Sequence, residues 1–443
     1  MGVSGAWGSD QKTGALTFNK DIAPIVFSQC ALCHHEGEVA PFPLMGYADV
    51  QKHAKQIARV TKSRFMPPWK AEPGFGDFHG VRRLTDDQIK LISQWVEEGA
   101  VEGVTADLPT VPHFTDGWQL GTPDLILKVP QPFTVPAEGK DVYRCFVIPI
   151  DISEDKYVTA VEYRPSNRKV VHHALFFLDS TGAARRKAQQ SDGVGYPSFG
   201  GPGILPTGGL GGWAPGAFPA KLPDGVGRML KKGSDLVLQT HFHPSGKPEQ
   251  EQSTIALYFS KSPTDKVLAG MSLRSRDINI APGEKNYKAT DSFITPIDVQ
   301  LIGVTPHAHL ICKEMKADAT LPDGTKKPLI WIKDWDFNWQ DQYKYAEPIK
   351  LPKGTKLEME YTYDNTAENP RNPNSPPKKV TFGEQTADEM AILFMEVVPE
   401  KQSEAPLLRK AMLQRGLRGL AGGKILQDVL KALGKGDEIK KAE

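Results

Sequence analysis

The chain has almost no excess charge: 54 Lys and Arg face 53 Asp and Glu in 443 residues, for a formal net charge of +1. No basic block occurs, so nucleic acid is not an implied partner. No apolar run approaches the roughly 18 to 20 residues that cross a bilayer, so no transmembrane segment is expected. The opening Met1-Gly2-Val3-Ser4-Gly5 carries no apolar signal core. A signal peptide for export is therefore expected to be missing from this sequence. Cysteine is scarce as well. Only four are present, and two of them belong to one motif, which leaves Cys145 and Cys312 either to pair or to stay as buried thiols.

Glycine and proline, by contrast, are abundant, 41 and 36, and favour many short strands joined by turns over a helical bundle. The length suggests two or three domains. The first, residues 16–103, reads as helical. Asn19 is expected to cap a helix bearing Ile22, Ile25, Val26 and Phe27, and a second helix over 49–63 puts Val50, Ala54, Ile57 and Val60 on one side. Thr85-Asp86-Asp87-Gln88 is a capping box for a third, whose stripe is Ile89, Ile92, Trp95 and Val96 and which Gly99 ends.

Cys30-Ala31-Leu32-Cys33-His34 is the C-x-x-C-H of c-type haem attachment, in which both thiols bind the porphyrin and the histidine ligates iron. In bacteria such attachment takes place outside the cytoplasm, so a periplasmic or secreted protein is expected. Met66, in Phe65-Met66-Pro67-Pro68-Trp69, is the candidate for the second axial position, with His35, His53 and His79 as alternatives. Helix, C-x-x-C-H, Met-Pro-Pro-Trp and final helix, in that order, resemble a bacterial class I cytochrome c domain with one haem c on Cys30, Cys33, His34 and Met66.

Residues 104–123 carry prolines and glycines without a period and read as a linker. From Asp124 on, strand-like runs recur, among them 125–129, 143–148, 157–163, 236–239, 255–259, 299–304, 329–332, 357–363 and 390–397. Asp224-Gly225 and Asp323-Gly324 are hairpin-turn signals. Two all-β sandwiches follow, over 124–265 and 266–400. The glycine-rich stretch from Gly200 to Gly216 has no Gly-Lys-Ser/Thr ending and is expected to be a long loop. The Asn- and Pro-rich stretch 364–377 reads as loop too, with calcium binding as an outside alternative. A helical tail, 401–443, carries Leu407, Leu408, Met412, Leu417, Leu420, Ile425, Val429 and Leu433 and is expected to lie against the body.

Six of the eleven histidines fall in three close pairs, His172/His173, His241/His243 and His307/His309. Each pair sits in an apolar run that reads as strand. Residues two apart on a strand share a face, so His-x-His offers two imidazoles to one ion. The neighbours His172 and His173 should point to opposite faces, and joint ligation by them needs a bulge or a twisted strand end. Otherwise one of them is a core histidine.

With these pairs and the sandwiches in place, residues 124–400 resemble the copper type II, ascorbate-dependent monooxygenases. The matching stretches are Tyr143-Arg144-Cys145, Val171-His172-His173-Ala174-Leu175, Leu238-Gln239-Thr240-His241-Phe242, Pro306-His307-Ala308-His309 and Asp388-Glu389-Met390. The resemblance implies two separate coppers: an electron-transferring one on His172, His173 and His241, and a dioxygen-binding one on His307, His309 and Met390. His243 departs from the family, where an aromatic residue is more usual. The disulfides of the animal members have no counterpart beyond Cys145 and Cys312. The implied activity is hydroxylation of a C–H bond of a small organic substrate with dioxygen, with electrons from ascorbate or a redox protein and the fused haem as relay. The alternatives are a haem and copper electron-transfer or copper-binding protein, and a haem-copper reductase. The last needs a His₂Cys set, for which Cys312 is the only nearby candidate.

Overall fold

Strands dominate the fold, with twenty-two of them against six α-helices among the described residues. The computed structural model describes residues 16–418, apart from 37, 39, 115, 116, 199, 200, 215, 216 and 384. The chain forms two units, Met1–Trp69 with Gly80–Asp116, and Lys70–His79 with Gly117–Glu443.

The first unit is helical. A π-turn, Phe18–Ile22, leads into α1 (Ala23–Gln29), followed by α2 (Tyr47–Lys52), α3 (Ala54–Lys62) and α4 (Asp86–Glu97). Phe18, Ile22, Val26, Val50, Ile57, Ile92 and Trp95 form its core. Asn19 is no cap. It lies inside the first turn, buried, and its amide donates to the Val104 carbonyl at 3.1 Å. Asp21 closes that end by accepting from the Thr17 N–H at 2.8 Å. The helix expected over 49–63 breaks at His53, whose ring stacks on Phe42 at 3.8 Å. The capping box forms as its four residues require, Thr85 Oγ1 accepting from the Gln88 N–H and Gln88 Oε1 from the Thr85 N–H.

The second unit is built of β1 (Leu125–Lys128), β2 (Phe133–Val135), β3 (Val142–Pro149), β4 (Lys156–Arg164), β5 (Val171–Asp179), β6 (Tyr196–Pro197), β7 (Gly208–Trp213), β8 (Val226–Leu230), β9 (Asp235–Phe242), β10 (Glu249–Glu251), β11 (Thr254–Phe259) and β12 (Lys266–Val267) in its first half, with α5 (Ala183–Gln189) following β5. The second half adds β13 (Ala269–Ser275), β14 (Asn279–Ile280), β15 (Lys285–Ile294), β16 (Val299–His307), β17 (Cys312–Thr320), β18 (Lys326–Ile332), β19 (Tyr343–Leu351), β20 (Lys356–Asp364), β21 (Val380–Thr381) and β22 (Ala391–Pro399). In the first half, sheets ordered β1-β11-β4-β8-β12 and β6-β3-β9-β5-β7 share a core of Leu127, Tyr163, Ile255 and Leu257 from one and Phe146, Phe176, Leu238 and Phe242 from the other. In the second half the sheets are β13-β22-β16-β19 and β15-β20-β17-β18. Tyr361, on β20, reaches across to donate to the Ile392 carbonyl on β22 at 2.8 Å.

Several expectations need correction. The glycine-rich stretch is not all loop, because Gly208–Trp213 forms β7, paired with β5. Glycine permits this: a Cβ on Gly212 would lie 2.8 Å from the Ala174 carbonyl oxygen. The linker is not free along its length, since Trp118 and Leu120 pack on Ala160, Ala256 and Tyr258, and the Leu120 N–H donates to Glu162. Asp323-Gly324 does turn the β17–β18 hairpin, but Asp224-Gly225 leads into β8, whose neighbours are β4 and β12. β12 joins the first half's sheet, so the change of sheets falls just past residue 265. The tail begins as a helix, α6 (Ala405–Arg418), which buries Leu408 and is tied to β15 by the ion pair of Arg415 with Asp291. The expected stripe from Leu417 onward lies outside the described side chains.

One segment of the second unit comes from far up the chain. Within Lys70–His79, Ala71 bridges to Ile332 of β18 and Phe78 to Tyr345 of β19. The Glu72 N–H donates to the Trp331 carbonyl and the His79 N–H to the Lys344 carbonyl, both at 2.8 Å.

Candidate metal centre

β5 opens with Val171-His172-His173, and its pairing with β9 slips between Val171 and His173. That irregularity supplies the break in alternation which two neighbouring histidines need to face one point. His173 lies directly across from His241. The result is a convergence of like atoms: His172 Nδ1 is 3.2 Å from His173 Nδ1, which is 3.4 Å from His241 Nδ1. A neutral imidazole has a single N–H, so three Nδ1 atoms turned on one another cannot all be satisfied among themselves. A cation that accepts three lone pairs satisfies them together. The histidines are the one group of at least three His, Cys, Asp or Glu among the described residues with this metal-binding spacing.

Packing holds the rings. His241 stacks on Tyr143 with centroids 4.2 Å apart, and His172 on Phe337 at 4.4 Å. Asp141 stands behind His241, its Oδ2 3.2 Å from Nε2, within ion-pair reach though not aligned for a hydrogen bond. Its Oδ1 accepts from His243 Nδ1 at 2.7 Å, and Thr386 donates to its other oxygen. Burial works against ionisation of Asp141, but the close approach of His241, with the bonds from Thr386 and His243, outweighs it and holds the carboxyl well below the usual carboxylate range. His241 and His243 therefore share a carboxylate, not an ion, and the His243 side chain remains 69% exposed.

The second set is built differently. His307 is the last residue of β16, and His309 lies beyond the strand end, so the expected shared strand face applies to His307 alone. The two rings nevertheless stand 5.3 Å apart. Each is anchored through Nδ1, His307 to Gln340 Oε1 at 2.6 Å and His309 to the Asp388 carbonyl at 3.0 Å. Both partners are acceptors in that role, which puts the proton on Nδ1 and leaves Nε2 with its lone pair. Gln340 is itself oriented, its amide donating to the Phe337 carbonyl at 3.1 Å.

Met390 is buried just before β22. Its carbonyl accepts from Tyr363 Oη at 2.6 Å. The preceding Glu389 carboxyl group accepts backbone N–H bonds from His309 and Ile311, each at 2.8 Å, and from Met390 at 3.2 Å. It thus ties the methionine-bearing segment to the His-x-His segment. Burial outweighs these bonds and pushes the Glu389 carboxyl up to about 8.

Burial likewise pushes His172 and His309 down to about 3 and His307 to about 4, and the neighbouring imidazoles add to this. His173 is held well below its ordinary range for the same reasons. Neutral imidazole is the form that ligates a metal.

In the helical unit, Cys30 and Cys33 are partly exposed thiols, not joined in a disulfide. His34 Nδ1 donates to the Phe42 carbonyl at 2.9 Å, which leaves its Nε2 unprotonated. Met66 is half-buried. His35 stacks on Phe114 at 3.9 Å, His53 stacks on Phe42, and His79 belongs to the second unit. Cys145 and Cys312 are separate, buried thiols. Sequence reasoning missed Asp141, Phe337 and Gln340, none of which lies in a motif of its own, and it quoted Glu389 beside Met390 without assigning it a role; each acquires its role only when distant segments meet.

No family model matches the chain, and no curated protein matches it. Among solved structures, it is similar to the major capsid protein P2 of bacteriophage PM2, at 8% identity over 62% of this chain and 97% of that one, with a TM-score of 0.24. PNGF-II is similar at 8% identity over 63% and 65%, TM-score 0.28. The infectious bursal disease virus VP2 subviral particle is similar at 8% over 62% and 70%, TM-score 0.18. Likenesses of this order carry no argument about function.

Proposed function

We propose that the second unit is a copper-dependent monooxygenase of the ascorbate-dependent type that the sequence resembles, and that the helical unit carries a haem c that relays single electrons to it. The observation that carries this reading is the convergence of Nδ1 atoms from His172, His173 and His241 beside a second histidine pair whose Nε2 atoms are left for ligation. His172, His173 and His241 would hold one copper, and His307, His309 and Met390 the other. Imidazoles suit both oxidation states of copper, while a thioether favours Cu(I), so the two donor sets differ as electron transfer and dioxygen binding require. When bound, copper supplies one-electron chemistry towards dioxygen that ends in hydroxylation of a C–H bond in a small organic substrate.

The chain's own residues prepare the site. Gln340 and the Asp388 carbonyl hold the tautomers of His307 and His309, Asp141 backs His241, and burial keeps His172, His307 and His309 neutral. Cys30, Cys33, His34 and Met66 would hold the haem, with His34 set for iron by its bond to Phe42. Haem attachment of this type places the protein in the periplasm or outside the cell, with ascorbate or a redox protein as donor.

The test is the copper and iron content of protein matured with haem, beside His172→Ala and His307→Ala, followed by oxygen uptake across a panel of organic substrates. Two coppers and one iron, one copper lost in each variant, and substrate-dependent uptake are expected. One copper, zinc in its place, or uptake that no substrate changes would reassign the protein to electron transfer or copper binding. Uptake that survives replacement of Cys30 and Cys33 undiminished would remove the haem from the relay.

A further inference from the structure

The resemblance implies two separate coppers, yet the two histidine sets meet. The His173 ring stands 6.1 Å, centroid to centroid, from the His307 ring, edge to face. Phe337 forms a common wall: it stacks on His172 at 4.4 Å and meets His309 edge-on at 5.7 Å. The approach of the two halves is fixed on both sides of this contact. Asp141, beside His241, accepts from Thr386 in the segment that leads to Met390. Gln342, two residues beyond Gln340, donates to the Gly212 carbonyl of β7 at 2.7 Å. Farther out, Glu396 on β22 takes both Arg228 of β8 and Lys344 of β19.

Charge placed on either set is felt at the other through a short, largely buried path, where it is screened far less than at a surface.

We infer that the five imidazoles form one dinuclear centre, in which two bound ions are direct neighbours, and not two isolated mononuclear sites. This rests on the two-copper reading above. An electron passing between the ions would then cross the imidazole-to-imidazole contact of His173 with His307.

Electron paramagnetic resonance of the full, copper-loaded and air-oxidised chain tests this, with copper content measured on the same sample. Two Cu(II) ions held as neighbours couple magnetically. The spin count is expected to fall well short of the copper content, with a half-field line, while His307→Ala, holding one copper, shows every copper as spin and no such line. Two coppers that are both fully visible, as independent signals without a half-field line, overturn the dinuclear centre and leave the two-copper enzyme standing. Fewer than two coppers in the wild-type chain overturns the functional reading and this inference with it. The wild-type measurement decides both points even if the variant fails to fold.

Discussion

In the first half of the second unit three histidines turn Nδ1 towards one another, whereas in the second half both histidines give Nδ1 to a fixed acceptor and keep Nε2. The side chain is the same, and both sets are largely buried. What differs is the manner of holding. His172 and His241 are positioned by stacking on Phe337 and Tyr143, which fixes the plane of a ring without claiming a nitrogen. His307 and His309 are positioned by hydrogen bonds, which choose the nitrogen as well. The ligating atom of a histidine is thus set by its surroundings and cannot be read from His-x-His spacing alone.

The sharpest way to break this contrast is His173→Ala, which removes the member common to both short Nδ1 separations. Loss of the whole first-set copper is expected, from two per chain to one, by metal analysis after dialysis. Retention of both would mean that the Nδ1 convergence holds no metal. Next comes Gln340→Leu, which frees the His307 ring while leaving every proposed ligand in place. Affinity at the second set is expected to drop about 10- to 100-fold in competition with a chelator, with the first set unchanged. Asp141→Asn removes the charge behind His241 and is expected to weaken the first set about tenfold. An equal loss at both sets would show that its bond to Thr386 serves the whole centre.

Smaller effects test the scaffold. Glu389→Gln puts an amide donor where both carboxyl oxygens now accept from backbone N–H groups. The expected cost is about 1–3 kcal/mol in urea unfolding of the metal-free protein. Burial pushes the Cys145 thiol up to about 12 and Cys312 well above its ordinary range, so neither should react with a thiol reagent at neutral pH before unfolding, as mass spectrometry of the labelled native protein would show.

The strands and the histidine pairs were legible because both are local patterns. Alternation along β4, β17 and β20 and the capping box at Thr85 are properties of a few consecutive residues. The need for a break at His172-His173 was legible for the same reason, since alternation forbids the arrangement otherwise. What sequence could not give was the residue on the far side. Asp141 lies 100 positions before His241, and Gln340 lies 33 beyond His307. A polar residue in a loop carries no sign of the strand it will meet. Asn19 failed as a cap through the same kind of distant contact, with Val104. The glycine-rich stretch failed because glycine signals freedom in a loop and close approach in a sheet alike.

The strap at Lys70–His79 bears on how this chain can be divided. β18 and β19 are the outer strands of their two sheets, and Ala71 and Phe78 bridge to one each. Unpaired outer strands are templates for pairing with other chains. A truncation that starts at Gly117, the obvious way to express the histidine-bearing part alone, strips the cover from both rims at once. Such a fragment should self-associate through the rims that the strap covers in the full chain.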